Sequence, residues 1–323
     1  MAEVKIGFVG AGGMARSHMR ALRDIADARI VAICDIEEAR AKEAADEFGG
    51  RVYTDHHELL EREELDALYV VVPPFAHTDA EILAAQKGVH LMVEKPVALT
   101  MEKALEIQQA IAEAGVISCV GYQLRYAEPS QRMKRWLADK TVAMVICERL
   151  GGLPGTPWWR IMSQSGGQLV EQTTHQVDMM RFLVGEIVEV YARYGHRGLP
   201  DVPDADVPDA YCVVMEFENG APAVLSSTCA LKKSGGRWGL TIILPDQRAE
   251  WRPDGNQLFP EDDPELTAPP QGKPNINAAF VEAVKTGNRE LIMSTYEDAV
   301  KSLAVTIAAN ESAASGKPVK PAV

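Results

Sequence analysis

"VKIGFVGAGGMARSH", residues 4–18, decides how the first half of the chain is read. An apolar run ends in Gly10, Gly12 and then Ala15, the G-x-G-x-x-G/A spacing, and a helical period begins at once. The first glycine permits a tight turn, the second lets a pyrophosphate approach the backbone, and the small third residue lets helix and strand pack while the helix N-terminus faces the phosphates. Beyond this loop, "ARIVAIC", "ALYVVV", "VHLMV" and "VISCVG" alternate with helical-period stretches such as "EEARAKEAADEF" and "MEKALEIQQAIAEAG". Strands apolar on both faces and joined by helices imply a parallel sheet covered on both sides. An α/β, doubly wound dinucleotide-binding domain is expected over residues 1–121.

Asp35 strengthens that expectation. It ends the second strand about 20 residues past the loop, where a carboxylate can accept hydrogen bonds from the adenosine ribose hydroxyls; the other reading of Asp35 is a helix N-cap. Glu37 and Glu38 follow it in place of an arginine, so a ribose 2'-phosphate would meet negative charge. The cofactor expected is NAD rather than NADP.

After "PSQRMKRWLAD" the rhythm changes to longer strands at "VAMVICERL", "EIVEVYARYG", "AYCVVMEFE", "APAVLSSTC" and "WGLTIILP". Asn219-Gly220 supplies hairpin chemistry between two of them. One helix is expected at "LVEQTTHQVDMMRFLVG" and two more close the chain. Residues 122–323 are therefore expected to form a second, mostly antiparallel α/β domain, its closing helices (274–315) free to pack back on the first domain. Residues 199–210 and 252–274 read as long loops rich in Pro and Asp.

Composition excludes several classes. With 46% hydrophobic and 24% charged residues the chain is globular, and no apolar stretch reaches the ~20 residues a membrane helix needs. The net charge of -13 disfavours a nucleic-acid partner. Five scattered cysteines without metal-ligand spacing read as buried thiols of a reducing compartment. With no leader-like pattern at the start, the cytoplasm is the expected location. His56 and His57 are adjacent, would point apart in a helix and lack a third ligand nearby, so no metal is expected.

"LMVEKPVAL", residues 91–99, delivers Lys95 to the carboxyl edge of the sheet, where doubly wound folds bind ligands. Partly desolvated there, it can hydrogen-bond a substrate oxygen; the alternative is a strand-end lysine paired with Glu94. In "EQTTHQVD", Glu171 and His175 are four apart and His175 and Asp178 three apart, so all three are expected on one face of a helix. A carboxylate one turn from an imidazole can orient it for general-base work; the alternative is a surface ion pair. Trp158 and Trp159, in a Gly- and Pro-rich loop, are either core anchors or ring surfaces for a ligand to stack on. Tyr122, Arg125 and Tyr126 follow the last strand of the first domain and are expected to line the same cleft.

"VGAGGMARSH", "PPFAH", "VEKPVAL" and "GGQLVEQTTHQVDMMRFLVG", in this order, resemble the Gfo/Idh/MocA family of NAD(P)-dependent sugar and cyclitol dehydrogenases, related to glucose-fructose oxidoreductase and inositol dehydrogenase. The resemblance covers essentially the whole chain. It implies that Lys95 holds the reacting hydroxyl and that His175 is the acid/base, with Glu171 as the third catalytic group. It places Gly10, Gly12, Gly13, Met14, Asp35, Pro73, Pro74, His77, Glu94 and Lys95 around the cofactor, and Tyr122, Arg125, Trp158, Trp159, Arg160, Glu171 and His175 around a small polyhydroxylated substrate. It also implies a Rossmann first domain, a large open, mostly antiparallel sheet in residues 122–323 for substrate binding and oligomerisation as a homodimer or homotetramer, and a cis Lys95-Pro96 peptide. Glu171 departs from the family's usual aspartate, which bears on substrate identity. Some relatives are NAD-recycling lyases or glycosidases and others non-catalytic dinucleotide sensors, so both remain rivals to a dehydrogenase.

Overall fold

The computed structural model describes residues 3–233, 235–260, 262–272 and 275–322. The chain divides into two compact units, Met1–Gly121 with Asn275–Val300 and Tyr122–Pro274 with Lys301–Val323.

In the first unit β1 (Val4–Val9), α1 (Gly13–Arg23), β2 (Ala28–Cys34), α2 (Glu38–Phe48), β3 (Arg51–Tyr53), α3 (His56–Arg62), β4 (Ala67–Val70), α4 (Ala80–Gln86), β5 (His90–Val93), α5 (Met101–Ala114) and β6 (Ser118–Val120) alternate. Among the described residues the six strands form one parallel sheet in the order β3-β2-β1-β4-β5-β6. β4 is buried along its whole length and β5 along most of it, as strands covered on both faces must be. The β1–α1 turn requires its glycine. Gly10 has φ +97, and a Cβ there would lie 2.1 Å from the Val71 carbonyl oxygen. β3 escaped the sequence pattern because it is three residues long and opens on an exposed arginine.

The second unit begins with α6 (Glu128–Leu137) and β7 (Met144–Leu150), followed by α7 (Met162–Ser165), α8 (Gln168–Glu171) and α9 (Thr174–Leu183). Then come β8 (Ile187–Gly195), β9 (Ala210–Phe217), β10 (Pro222–Thr228), β11 (Arg237–Ile243), β12 (Arg248–Arg252), β13 (Gly255–Phe259) and α10 (Pro264–Thr267). The described strands form a seven-stranded sheet, β13-β12-β11-β7-β10-β9-β8, antiparallel except for the parallel β7–β10 pair. Burial alternates along β9 and β10. Inward residues such as Val145, Val213, Leu225 and Trp251 form a core with Met133 and Leu137 of α6 and Val177 and Met180 of α9. Two helices close the chain. α11 (Ile276–Thr286) sets Phe280 edge-on against Tyr69, 5.6 Å between ring centroids, and Tyr69 in turn stacks on Phe8. The boundary between the units falls within α12 (Tyr296–Ser315).

Three expectations are corrected. Residues 252–274 are not one loop: β13 pairs with β12, and Trp251 anchors the hairpin through its indole N–H on the Ser130 hydroxyl at 3.0 Å. The expected helix over 169–185 breaks at Gln172–Thr173. Among the cysteines, Cys212 is exposed on β9, whereas Cys34, Cys119, Cys147 and Cys229 are buried. The Asn219-Gly220 turn links β9 and β10, with the Gly220 N–H donating to the Phe217 carbonyl at 2.8 Å and Gly220 at φ +84. Gly220→Ala is expected to destabilise the protein by about 1 kcal/mol or more, because an L side chain resists this conformation. Urea unfolding of the variant measures it.

Candidate functional site

The glycine loop keeps the properties an anion site needs. α1 has no side-chain cap at Gly12 and no acidic residue in its first turn, so its leading N–H groups are left for a ligand. A Cβ at Gly12 or Gly13 would meet open space, so a ligand can approach the backbone there. Asp35 is buried; its carboxylate accepts from the Ala11 N–H at 2.9 Å and the Glu37 N–H at 3.0 Å. It thus ties the glycine loop to the end of β2. The absence of an arginine beside it needs correction. Arg40, five residues on, reaches both Asp35 oxygens at 3.2 Å and Glu37 at 2.5 Å. Two carboxylates already hold that guanidinium, so the local field remains unfavourable for an added phosphate.

At the end of β5, the buried Glu94 carboxylate accepts from the Lys95 backbone N–H at 3.1 Å and faces His18 Nε2 at 2.9 Å. The other ring nitrogen of His18 meets Asn277 Oδ1 at 2.8 Å. Gly121 makes room, since a Cβ there would lie 2.4 Å from a Glu94 oxygen. Lys95 is half-buried and the Lys95-Pro96 peptide is cis, as expected. Burial opposes charge on His18, but the Glu94 hydrogen bond and charge, with Asn277, outweigh it and raise the His18 pKa.

In the second unit, α9 is a buried helix with His175 half-exposed near its start, between buried Thr174 and Gln176. Tyr122 backs it: its ring meets His175 edge-on at 6.0 Å, and its hydroxyl bonds Thr174 Oγ1 at 2.8 Å. Glu171 ends α8, across the break from His175. The break has a local cause, because Thr173 turns its hydroxyl to Ser227 at 2.9 Å and its N–H back to the Gln168 carbonyl. Glu171, His175 and Asp178 therefore do not share one continuous helix face. Glu171 accepts from the Trp159 indole N–H at 2.5 Å.

A family model described as "Oxidoreductase family, NAD-binding Rossmann fold" matches residues 4–122, and a model of the GFO/IDH/MocA C-terminal domain matches residues 131–243. The chain belongs to the Gfo/Idh/MocA family. It is an oxidoreductase whose first unit binds NAD. It is 28% identical over 228 residues to a myo-inositol 2-dehydrogenase of Thermotoga maritima, covering 70% of this chain and 68% of that one. It is 29% identical over 229 residues to an NAD(+)-dependent scyllo-inositol 2-dehydrogenase of Bacillus subtilis, covering 68% and 65%. The WlbA dehydrogenase of Bordetella pertussis, solved with NADH and UDP-GlcNAcA, has the same fold with a TM-score of 0.86 at 21% identity, over 99% of both chains.

Not every residue expected at this family's site faces a ligand. Arg125 is buried and grips Asp178 with two hydrogen bonds, at 2.9 and 2.6 Å. Removing one partner of such a pair costs about 3–5 kcal/mol, so Arg125 supports α9. Tyr122 is likewise a buried wall. Trp159 is a core anchor, packed with Val207 and Cys229, whereas Trp158 is only partly buried beside them. Arg160 is half-exposed, with its carbonyl accepting from the Asp206 N–H at 3.1 Å. Tyr126 closes a short helical turn, Gln123–Tyr126. Pro73 leads into a turn at Pro74–Ala76, Met14 is exposed, and His77 is buried against Glu81, Nδ1 to Oε1 2.5 Å. His56 and His57 do not point apart: their rings lie 4.3 Å from each other and both contact Asp79.

His18, Asn277, Arg40 and Glu81 were missed by sequence reasoning. Only Arg40 and Glu81 carried a signal, as charged residues within one to two turns of Asp35 and His77. Because the folded-state pKa of His18 is raised, its stabilising charge is fully present below about pH 6.5 and is lost as pH rises through the raised value. The stability difference between wild type and His18→Gln is therefore expected to shrink with rising pH above that point, as measured by urea unfolding across a pH series.

Proposed function

We propose that the protein is an NAD-dependent dehydrogenase oxidising a secondary hydroxyl of a sugar, sugar derivative or cyclitol. The observation that carries this reading is His175, a half-exposed imidazole on an otherwise buried stretch of helix held by Tyr122, Thr174 and the Arg125–Asp178 pair. A general base needs that combination of access and fixed orientation. The names of the inositol dehydrogenases to which the chain is similar support the substrate class. In the proposed mechanism His175 takes the hydroxyl proton and Lys95 hydrogen-bonds the oxygen. Glu171, steadied by Trp159, orients the substrate. NAD supplies the hydride acceptor.

Screening inositols, polyols and aldoses for NADH formation tests the reading; net NADH also separates it from an NAD-recycling lyase. On an active substrate His175→Ala is expected to lower kcat by ~10²-fold or more while leaving the calorimetric NAD affinity unchanged. Wild-type turnover in that variant would remove His175 from the chemistry.

We further propose a cytoplasmic homo-oligomer formed through the second sheet. Ile146, Val188, Val214 and Trp238, on four of its strands, are exposed large apolar side chains, and such patches mark contact surfaces. The free cysteines support a reducing compartment. Val214→Asp is expected to lower the mass measured by light scattering to that of a smaller species; an unchanged mass would place the contact elsewhere.

A further inference from the structure

Arg149 occupies the next-to-last position of β7, between Ser227 of β10 and Trp238 of β11. By strand alternation it shares the sheet face of Val145 and Cys147, both fully buried in the core. Its side chain is partly buried, yet among the described residues its guanidinium makes no hydrogen bond and no ion pair. Burial lowers its pKa, opposed by the nearby Cys229 and Glu171. Glu171 thus lies within electrostatic range but not at ion-pair distance, and it accepts the Trp159 indole N–H. The guanidinium lies over Gly151, where a Cβ would come within 2.2 Å of Nη1.

This setting differs from that of the other buried arginines of the unit. Arg125 and Arg181 each meet a carboxylate with two hydrogen bonds. A partly desolvated guanidinium without an anion is costly, and its planar donor fork suits a carboxylate or phosphate. In a chain with a net charge of -13, a lone cation beside Glu171 is a local exception. We propose that Arg149 forms a subsite for one oxyanion of the substrate, so that the preferred substrate is a sugar or cyclitol derivative bearing a carboxylate or a single phosphate. This rests on the reading that places Glu171 at the substrate.

The test is binding, which needs no turnover. D-glucuronate, D-glucose 6-phosphate and neutral D-glucose are titrated calorimetrically into the NAD-saturated protein. At least one anion is expected to bind ~10-fold or more tightly than D-glucose, and which one does so separates carboxylate from phosphate. Arg149→Gln is expected to abolish that preference and Arg149→Lys to retain part of it. Gly151→Ala, which displaces the guanidinium but keeps its charge, is expected to weaken it. NAD affinity should not change in any of them. The subsite is overturned if D-glucose binds as well as both anions, if the preference survives Arg149→Gln, or if neither anion binds. A failure to form NADH from any polyol, with Arg149-dependent anion binding intact, would instead sink the dehydrogenase reading alone.

Discussion

The Glu94 carboxylate, buried at the carboxyl end of β5, is the group around which the first unit is arranged. It accepts the N–H of Lys95, faces the imidazole of His18 on α1, and lies in space that only a glycine at position 121 leaves open. Through His18 the same bond chain reaches Asn277 on α11, a helix 259 residues away in sequence from the histidine it meets. A buried carboxylate without such partners would be destabilising by several kcal/mol. Satisfying it fixes the glycine-loop helix, the lysine-bearing turn and the closing helix relative to each other within this unit.

The second unit has a corresponding arrangement around Asp178. Arg125 holds the carboxylate from one side, and Ser302 donates to it at 3.1 Å while accepting from Arg181, which also grips Glu186. α9 is thereby clamped in the core, and the half-exposed His175 sits on a support that has little freedom. The break at Thr173 separates Glu171 from that helix and lets Trp159 hold it. The carboxylate, one methylene longer than the family's usual aspartate, thus meets the Trp159 indole N–H at 2.5 Å, a partner from outside the helix.

Electrostatics divide the titratable groups into those that support and those that remain chemically available. Asp35 is engaged by two backbone N–H groups and Arg40, and His77 is seated on Glu81. Arg149 is the contrasting case, partly desolvated and, among the described residues, without an anion. The difference between Arg125 and Arg149, both arginines of the same unit, lies wholly in what the fold brings within 3 Å.

Local sequence determined the parallel βαβ rhythm, the glycine turn and Asp35, because strand burial on both faces, positive φ and a strand-end carboxylate each leave a short-range signature. The hairpin strands of the second sheet and the candidate pair Lys95 and His175 were legible for the same reason, the latter two through motif resemblance. Tertiary structure alone decided that Arg125 grips Asp178, that the Trp159 indole N–H reaches Glu171, and that β13 extends the sheet through a segment that reads as loop. Each of these depends on partners distant in the chain or on a hydrogen bond that competes with helix continuity, as at Thr173. Spacing along the chain predicts a shared face only while the backbone stays regular; side-chain hydroxyls, buried charges and glycines opposite them determine where it does not.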